Sequence, residues 1–266
     1  MTNGPFDEEA DLRNLWEENA QKWVRGVRSG YDRFRRSFHD PVFYGLLGEV
    51  FGLNIVDLGC GEGITCRELA ARGAQSVTGV DISPAMIEAA HSQPLKGSTI
   101  AEYFVASISD ATILPSNHFD RAVSVMTLMD LPDLQGAMQT AKRVLTPGGI
   151  FVFSISHPFW DRRETEWECS SSREWQVKPG NYFDTEDWVD RWGFSRPDGT
   201  LAEEAPFLIR TYPRTIADYL NTAIEAGLEL HVLAEPQPPS SANMEFEATF
   251  QRWRRAPFYL MARLSA

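Results

Sequence analysis

Over the first forty residues, apolar positions recur at spacings near three and four, at Leu12, Leu15, Trp16, Ala20, Trp23, Val24 and Val27. That period predicts an amphipathic helix with one face to bury. The pattern then shortens. Residues 53 to 58 form a brief apolar run that breaks at a cluster of glycines, the signature of a buried strand entering a turn. Helix-forming residues follow from Cys66 to Arg72, and Gly73 supplies the stop. The alternation repeats, with strands expected at Ser76 to Val80, Glu102 to Ala106 and Arg121 to Met126, and helices at Pro84 to His91 and Leu134 to Val144. A tight turn at Pro147-Gly148-Gly149 precedes a fifth strand, Ile150 to Ser156. Strands alternating with helices predict a parallel α/β sheet.

Residues 157 to 213 break the rhythm. They are polar and irregular, with Trp160, Trp167, Trp175, Trp188 and Trp192 at no helical or strand period, and so long an insert is usually functional. The sheet pattern resumes with a helix from Thr215 to Ala226, a strand from Leu228 to Ala234, a proline-rich loop and a last strand from Phe258 to Leu264. The organisation read from this is an N-terminal helical lid over 1–45, a core over 46–156 continued by 214–266, and a covering insert over 157–213. No internal repeat is present.

Composition narrows the classes of partner. A chain of 266 residues with 43% hydrophobic residues can bury a full core. Its net charge of −12 repels a phosphate backbone, so nucleic acid is a disfavoured substrate. The run holding Arg25, Arg28, Arg33, Arg35 and Arg36 is either a local basic patch or the solvated face of a helix. No apolar stretch reaches the roughly eighteen residues of a membrane span, and no leader pattern is seen, so a cytoplasmic location without membrane attachment is expected. Cys60, Cys66 and Cys169 lack paired-ligand spacing and read as reduced thiols rather than a disulfide or zinc framework. No metal is expected. The sequence carries no signal for oligomeric state.

The candidate chemistry starts at Asp57-Leu58-Gly59-Cys60-Gly61-Glu62-Gly63. Glycines 59, 61 and 63 allow positive φ and close backbone approach to a ligand at a strand-to-helix turn. Asp57 is placed to receive a cationic amino group, directly or through water and amides, and would repel a pyrophosphate. Asp81, at the end of the second strand, can accept from two ribose hydroxyls. Ile64 stands where a dinucleotide fingerprint needs its third glycine, which weakens a nicotinamide reading. Each motif also has a structural explanation as a turn or cap; their order on successive β/α units is what makes them informative together.

Val56 to Gly63, Gly79-Val80-Asp81-Ile82-Ser83 and Arg143 to Gly149 resemble, in that order, three motifs of the class I methyltransferases, and the resemblance extends over nearly the whole chain. It implies an α/β, doubly wound, Rossmann-like fold: a seven-stranded, mostly parallel sheet, with an N-terminal helix and an insert after the fifth strand. It implies S-adenosylmethionine as cofactor and S-adenosylhomocysteine as product, held by Trp23, Asp57, Gly59, Cys60, Gly61, Asp81, Ile82, Met86, Ser107, Ile108 and Met126. The adenine position has two registers, Ser107 with Ile108 or Asp110 with Ala111, and the first lies directly at the strand end. Met126 to Asp133 matches the family segment that faces the transferable methyl group; there Asp130 is a substrate contact or base, or else a capping residue. His157, in a His-Pro pair that the resemblance includes, is either a general base or a hydrogen-bonded structural residue.

An activated sulfonium needs alignment and dryness more than a base. The expected activity is methyl transfer to an O or N atom of a small organic acceptor by direct in-line displacement. Tyr31, Trp160 and Arg214 are the substrate-binding candidates, with the tryptophans supplying either pocket walls or a subsidiary core. Two alternatives stand beside it: an RNA or protein methyltransferase, and a regulator that binds the cofactor without turnover.

Overall fold

The computed structural model describes residues 5–95, 97, 99–171, 174–194, 206–239 and 247–266. Parts of the expected insert (172, 173 and 195–205) and of the proline-rich loop (240–246) lie outside them. The first helix, α1 (Pro5–Arg28), ends in Arg25 and Arg28, whose charges complement the negative end of its dipole. Leu12, Ala20 and Val27 bury its apolar face. Asn19 on the same helix is buried too. Its amide donates to the Leu208 carbonyl at 2.7 Å and accepts from the Leu208 amide at 3.3 Å, fixing the helix against the strand Phe207–Thr211.

One π-helical turn, Arg35–His39, runs into α2 (Asp40–Leu47), an apolar helix that the sequence pattern did not signal. Alternation follows as expected: β1 (Asn54–Leu58), α3 (Ile64–Ala71), β2 (Ser76–Asp81), α4 (Pro84–His91), β3 (Ile100–Val105), β4 (Phe119–Val125), α5 (Leu134–Val144) and β5 (Leu145–Ser156). β5 starts five residues before the expected Ile150, because Leu145 already pairs with Phe119 and the residues at the Pro-Gly-Gly site bulge out before pairing resumes at Ile150 with Arg121. Gly148, at φ +77°, makes that bulge possible, and its amide bonds the Ala266 carbonyl at 2.9 Å.

The insert is not irregular as expected. It holds two antiparallel hairpins, β6 (Glu166–Cys169) with β7 (Trp175–Lys178), and β8 (Trp188–Trp192) with β9 (Phe207–Thr211). Their strands are so short that period-2 alternation had too few residues to register. The chain closes with α6 (Ile216–Glu225), started by a reciprocal Thr215–Asp218 capping box, then β10 (Glu229–Ala234), α7 (Glu247–Trp253) in the expected loop, and β11 (Tyr259–Ser265).

The main sheet has seven strands in the order β10-β11-β5-β4-β1-β2-β3. Its pairings are parallel except that β11 runs antiparallel to both neighbours. Helices cover both faces. On one, α5 and α6 bury Met138, Ala141, Tyr219 and Ala223 against Phe151, Phe153 and Leu260. On the other, Phe43, Leu47, Cys66 and Leu69 pack on Ile55, Val77, Val152 and Met261. The chain leaves β1 toward β3 and returns to start β4 on the other side of β1. That reversal opens a crevice at the carboxyl ends of β1 and β4, where open α/β sheets bind ligands.

Candidate active site

The turn after β1 builds the crevice floor. Gly59 and Cys60 both donate their amides to the Val80 carbonyl, at 2.8 and 2.9 Å, which ties the turn to the end of β2. Gly59 takes φ +83°, and a Cβ there would lie 2.8 Å from Thr127 Cβ, so only glycine fits between the turn and the loop after β4. Gly61, at φ +52°, differs: a Cβ would meet nothing within 4 Å, and the residue lines open space. Asp81 holds the arrangement from the side. Its carboxylate accepts from the Gly61 amide and the Ser83 amide, both at 2.9 Å. Burial raises its pKa above the usual carboxylate range, partly offset by those amides.

Beneath the turn, Glu62 is buried between Arg28, at 3.2 Å, and Arg67. Above it, α1 forms the roof: Leu12, Trp16 and Trp23 line the cleft from one helix face. Glu9 accepts from Ser107 Oγ at 2.6 Å and Glu17 from Ser83 Oγ at 2.6 Å, which pins the roof to the ends of β3 and β2. The far end of the cleft is Met126, a non-glycine residue at φ +54° directly after β4, a strained conformation of the kind that gathers at functional sites.

Past Met126 the cleft opens into a second chamber. The two share Trp16, Trp23, Arg35, Val125, Met126 and Asp130. Aromatic rings wall the chamber, among them Phe34, Trp160, Trp192 and Phe258, with Trp160 stacked on Phe258 at 5.2 Å. Asp130 stands at the junction, only 4% exposed, and its Oδ1 has no hydrogen-bond partner. Burial holds its carboxyl well above the ordinary range, and nearby Asp161 adds to that while Arg214 opposes it. Arg35 donates to Thr65 Oγ1 at 2.6 Å and to Asp40 at 3.3 Å. His39 spends both ring nitrogens, on Asp40 at 2.9 Å and Ser154 Oγ at 2.8 Å.

Most of the residues singled out from sequence meet here. Trp23, Gly59, Cys60, Gly61, Asp81, Ile82, Met86, Ser107, Ile108 and Met126 all line the cleft, and Asp130 joins it to the chamber that Trp160 walls. In the adenine register, Ser107 and Ile108 reach the cleft, whereas Asp110 and Ala111 do not line it. Asp57 stands one layer behind. It is 1% exposed, its Oδ2 accepts from the Cys66 thiol at 3.4 Å, its Oδ1 is unpartnered, and burial pushes its pKa up to about 7. Tyr31 lines an outer vestibule rather than the chamber itself.

His157 and Arg214 also line neither cavity. The Nδ1 of His157 accepts from the Phe159 amide at 3.1 Å and its Nε2 bonds Glu235 at 2.9 Å, an arrangement that fits the structural one of its two readings. Arg214 donates to the carbonyls of Leu128, Leu131 and Pro132. Sequence reasoning missed Leu12, Trp16, Arg35 and Thr127 in the cleft and Asp32, His39 and Asp161 in the chamber. The seven-residue spacing of Trp16 and Trp23 was the available signal for the first pair. The others come together only through tertiary structure.

The lining sets the Asp81 carboxylate beside the apolar side chains of Ile82, Met86 and Ile108. Nothing in it welcomes a pyrophosphate, since Arg35 is already tied to Asp40 and Thr65. Among the described residues, no group of three or more His, Cys, Asp or Glu is placed to hold a metal ion, and no helix is long and apolar enough to cross a membrane.

A family profile described as a methyltransferase domain matches residues 56–153. The chain is similar to the crystal structure of an S-adenosylmethionine-dependent methyltransferase from Mesorhizobium loti, with a TM-score of 0.68 and 27% identity, covering 85% of this chain and 96% of that one. It is 31% identical over 106 residues to a ubiquinone biosynthesis O-methyltransferase of Xanthomonas oryzae pv. oryzae, covering 40% of this chain and 44% of that protein. It is 34% identical over 114 residues to a demethylmenaquinone methyltransferase of Tropheryma whipplei, covering 42% and 46%. The match thus spans less than half the length of these two quinone-pathway relatives.

Proposed function

From the premise that the chain belongs to the class I S-adenosylmethionine-dependent methyltransferases, we propose that it methylates an O or N atom of a small organic acceptor by direct in-line displacement. When bound, S-adenosylmethionine supplies a methyl group already activated on a sulfonium. The chain's own work is to hold, orient and dry the partners. Asp81 and the Gly59–Gly61 turn are assigned to the ribose and the amino-acid portion, Ser107 and Ile108 to the adenine side, and Met126 to the boundary across which the methyl moves. Asp57 acts through the turn that it underlies, not by contact.

The observation that carries this reading is the chamber joined to the cleft at Met126 and Asp130. Its walls carry the aromatic side chains of Trp16, Trp23, Phe34, Trp160, Trp192, Phe258 and Tyr259, the kind of lining that small organic ligands occupy. A polynucleotide or a folded protein would need an open, and for the former a basic, surface instead. We place this activity in the cytoplasm, on a diffusible acceptor and without nucleic acid. The test is release of S-adenosylhomocysteine by the full chain across a panel of small phenols, alcohols, amines and carboxylic acids. Turnover on members of the panel supports the reading, whereas turnover only on RNA or protein, or none with any acceptor despite tight cofactor binding, overturns it.

A further inference from the structure

The acceptor chamber has a charge pattern that the activity alone does not require. Four carboxyls, Asp32, Asp130, Asp161 and Asp190, line it against one guanidinium, that of Arg35. Arg35 is engaged by Asp40 and Thr65, and the buried His39 ring is bonded on both sides, with burial lowering its pKa toward the neutral form. Among the described residues the Asp161 carboxylate accepts from the Ser156 hydroxyl, and the charge of neighbouring Arg162 offsets part of its burial. Asp130 has an unpartnered oxygen, buried and facing the junction with the cofactor cleft. Around these acids stand indole and phenyl faces: Trp23 and Trp192 lie 5.7 Å apart, and Trp160 stacks on Phe258.

A buried carboxyl without a donor costs free energy until something supplies one. Three kinds of small acceptor can be compared on that ground. A carboxylate or phosphate would add like charge beside four acids. A phenol or alcohol would give Asp130 one hydrogen bond and leave Asp161 unmatched. A protonated nitrogen offers several donors and a positive charge, and the negative faces of the surrounding rings attract it as well. Taking the methyl-transfer reading above as given, we infer that the acceptor is an amine, whose basic nitrogen enters protonated between Asp130 and Asp161 and is the atom methylated.

The position of Asp130 gives the reaction its proton path. The ammonium transfers one proton to the Asp130 carboxylate, leaving a neutral amine with a free lone pair beside the cleft. That pair forms the new N–C bond as the C–S bond breaks and its electrons remain on sulfur. The product is the methylated ammonium with S-adenosylhomocysteine, and Asp130 afterwards returns its proton to water. Raised basicity of a buried carboxylate favours this transfer, as for other catalytic acids in apolar sites.

The experiment uses the full chain saturated with S-adenosylhomocysteine and titrates matched sets of amine, alcohol and carboxylate on phenylethyl, indolylethyl and naphthylmethyl frames by calorimetry. In at least one set the amine is expected to bind tenfold or more tighter than its alcohol, with the carboxylate weaker still. Asp161→Asn should reduce that preference at least fivefold while S-adenosylhomocysteine affinity stays within twofold, because Asp161 lines the chamber and not the cleft. Asp130→Asn should abolish methylation of the preferred amine. Both replacements keep shape and remove a buried charge, and thermal melts establish that the variants are folded. If no amine outbinds its alcohol in any set, or if Asp161→Asn leaves the preference unchanged, the inference falls. Absence of S-adenosylhomocysteine binding would instead overturn the methyltransferase reading itself.

Discussion

Replacing Gly61 by Ala separates what the glycine turn does for folding from what it does for the ligand. The backbone at Gly61 sits at φ +52°, so an alanine there costs about 1–2 kcal/mol of conformational energy. No protein atom lies within 4 Å of the added methyl, so no overlap adds to that cost. Melting should fall by roughly 2–8 °C, at about 2–4 °C per kcal/mol for a domain of this order of size. The methyl enters the cleft, however, where the proposed site has the cofactor pack against the turn. Crowding of a packed contact by one methyl costs about 1–3 kcal/mol, a loss of roughly 5- to 150-fold in affinity for S-adenosylhomocysteine by calorimetry. Gly59→Ala is the control. Its Cβ would collide with Thr127, adding about 1–3 kcal/mol of overpacking to the strain at φ +83°, so its stability loss should exceed that of Gly61→Ala. An unchanged dissociation constant for Gly61→Ala would show that the ligand does not pack on this turn, and the site assignment would have to be abandoned.

Asp81→Ala removes a carboxylate that anchors the Gly61 and Ser83 amides and is assigned to the ribose; S-adenosylhomocysteine affinity should drop at least about tenfold, and equal affinity by calorimetry would end that assignment. His157→Ala should lower the melting temperature through loss of two hydrogen bonds, about 1–3 kcal/mol together, and leave turnover intact; a large fall in kcat with an unshifted melt would restore a catalytic role. Burial holds the Asp57 pKa at about 7 against the ordinary 3.8, so across that window the folded state keeps a proton that the unfolded state has lost. The stability of the ligand-free protein should therefore fall as pH rises from about 4 to 7, by on the order of 4 kcal/mol from this group. Asp57→Asn should make that part of the profile shallower, with Asp81 and Asp130 keeping a slope of the same sign, and a slope unchanged by the substitution would show that Asp57 does not contribute.

How far the sequence could be read depends on how local each signal is. Val56 to Gly63 is legible because strand, turn and helix start lie within a dozen residues, and each glycine answers a local backbone demand. Asp81 is legible because a strand end is a fixed address in an open α/β sheet. Pro84 to His91 and Leu134 to Val144 were located to the residue, since each begins at a strong cap: Ser83 Oγ accepts from the Met86 amide and Asp133 from the Gly136 amide. His157 was left with two readings for a related reason. A strand-end histidine has the right address for catalysis, but its ring is claimed by Glu235, 78 residues away, and by Phe159.

The acceptor chamber belongs to the opposite case. Asp32 comes from the stretch after α1, Asp130 from the loop after β4, Asp161 from the turn after β5, and Asp190 from β8. Only Asp130 was marked in the sequence, by the segment after the fourth strand; the other three have no recognisable neighbour in the chain, and each alone reads as one more surface acid in a protein of net charge −12. The same composition that argued against a phosphate backbone therefore concealed a concentration of acid inside the molecule. On the proposed reading, distribution matters more than the total: four carboxyls around one aromatic-walled chamber make a local field that favours a cationic ligand, whatever the net charge outside. The proposed cofactor site has an address fixed by the fold. The proposed acceptor site is set by the covering segments, α1 and the hairpins of the insert, and it is in these segments that the identity of the acceptor is to be sought.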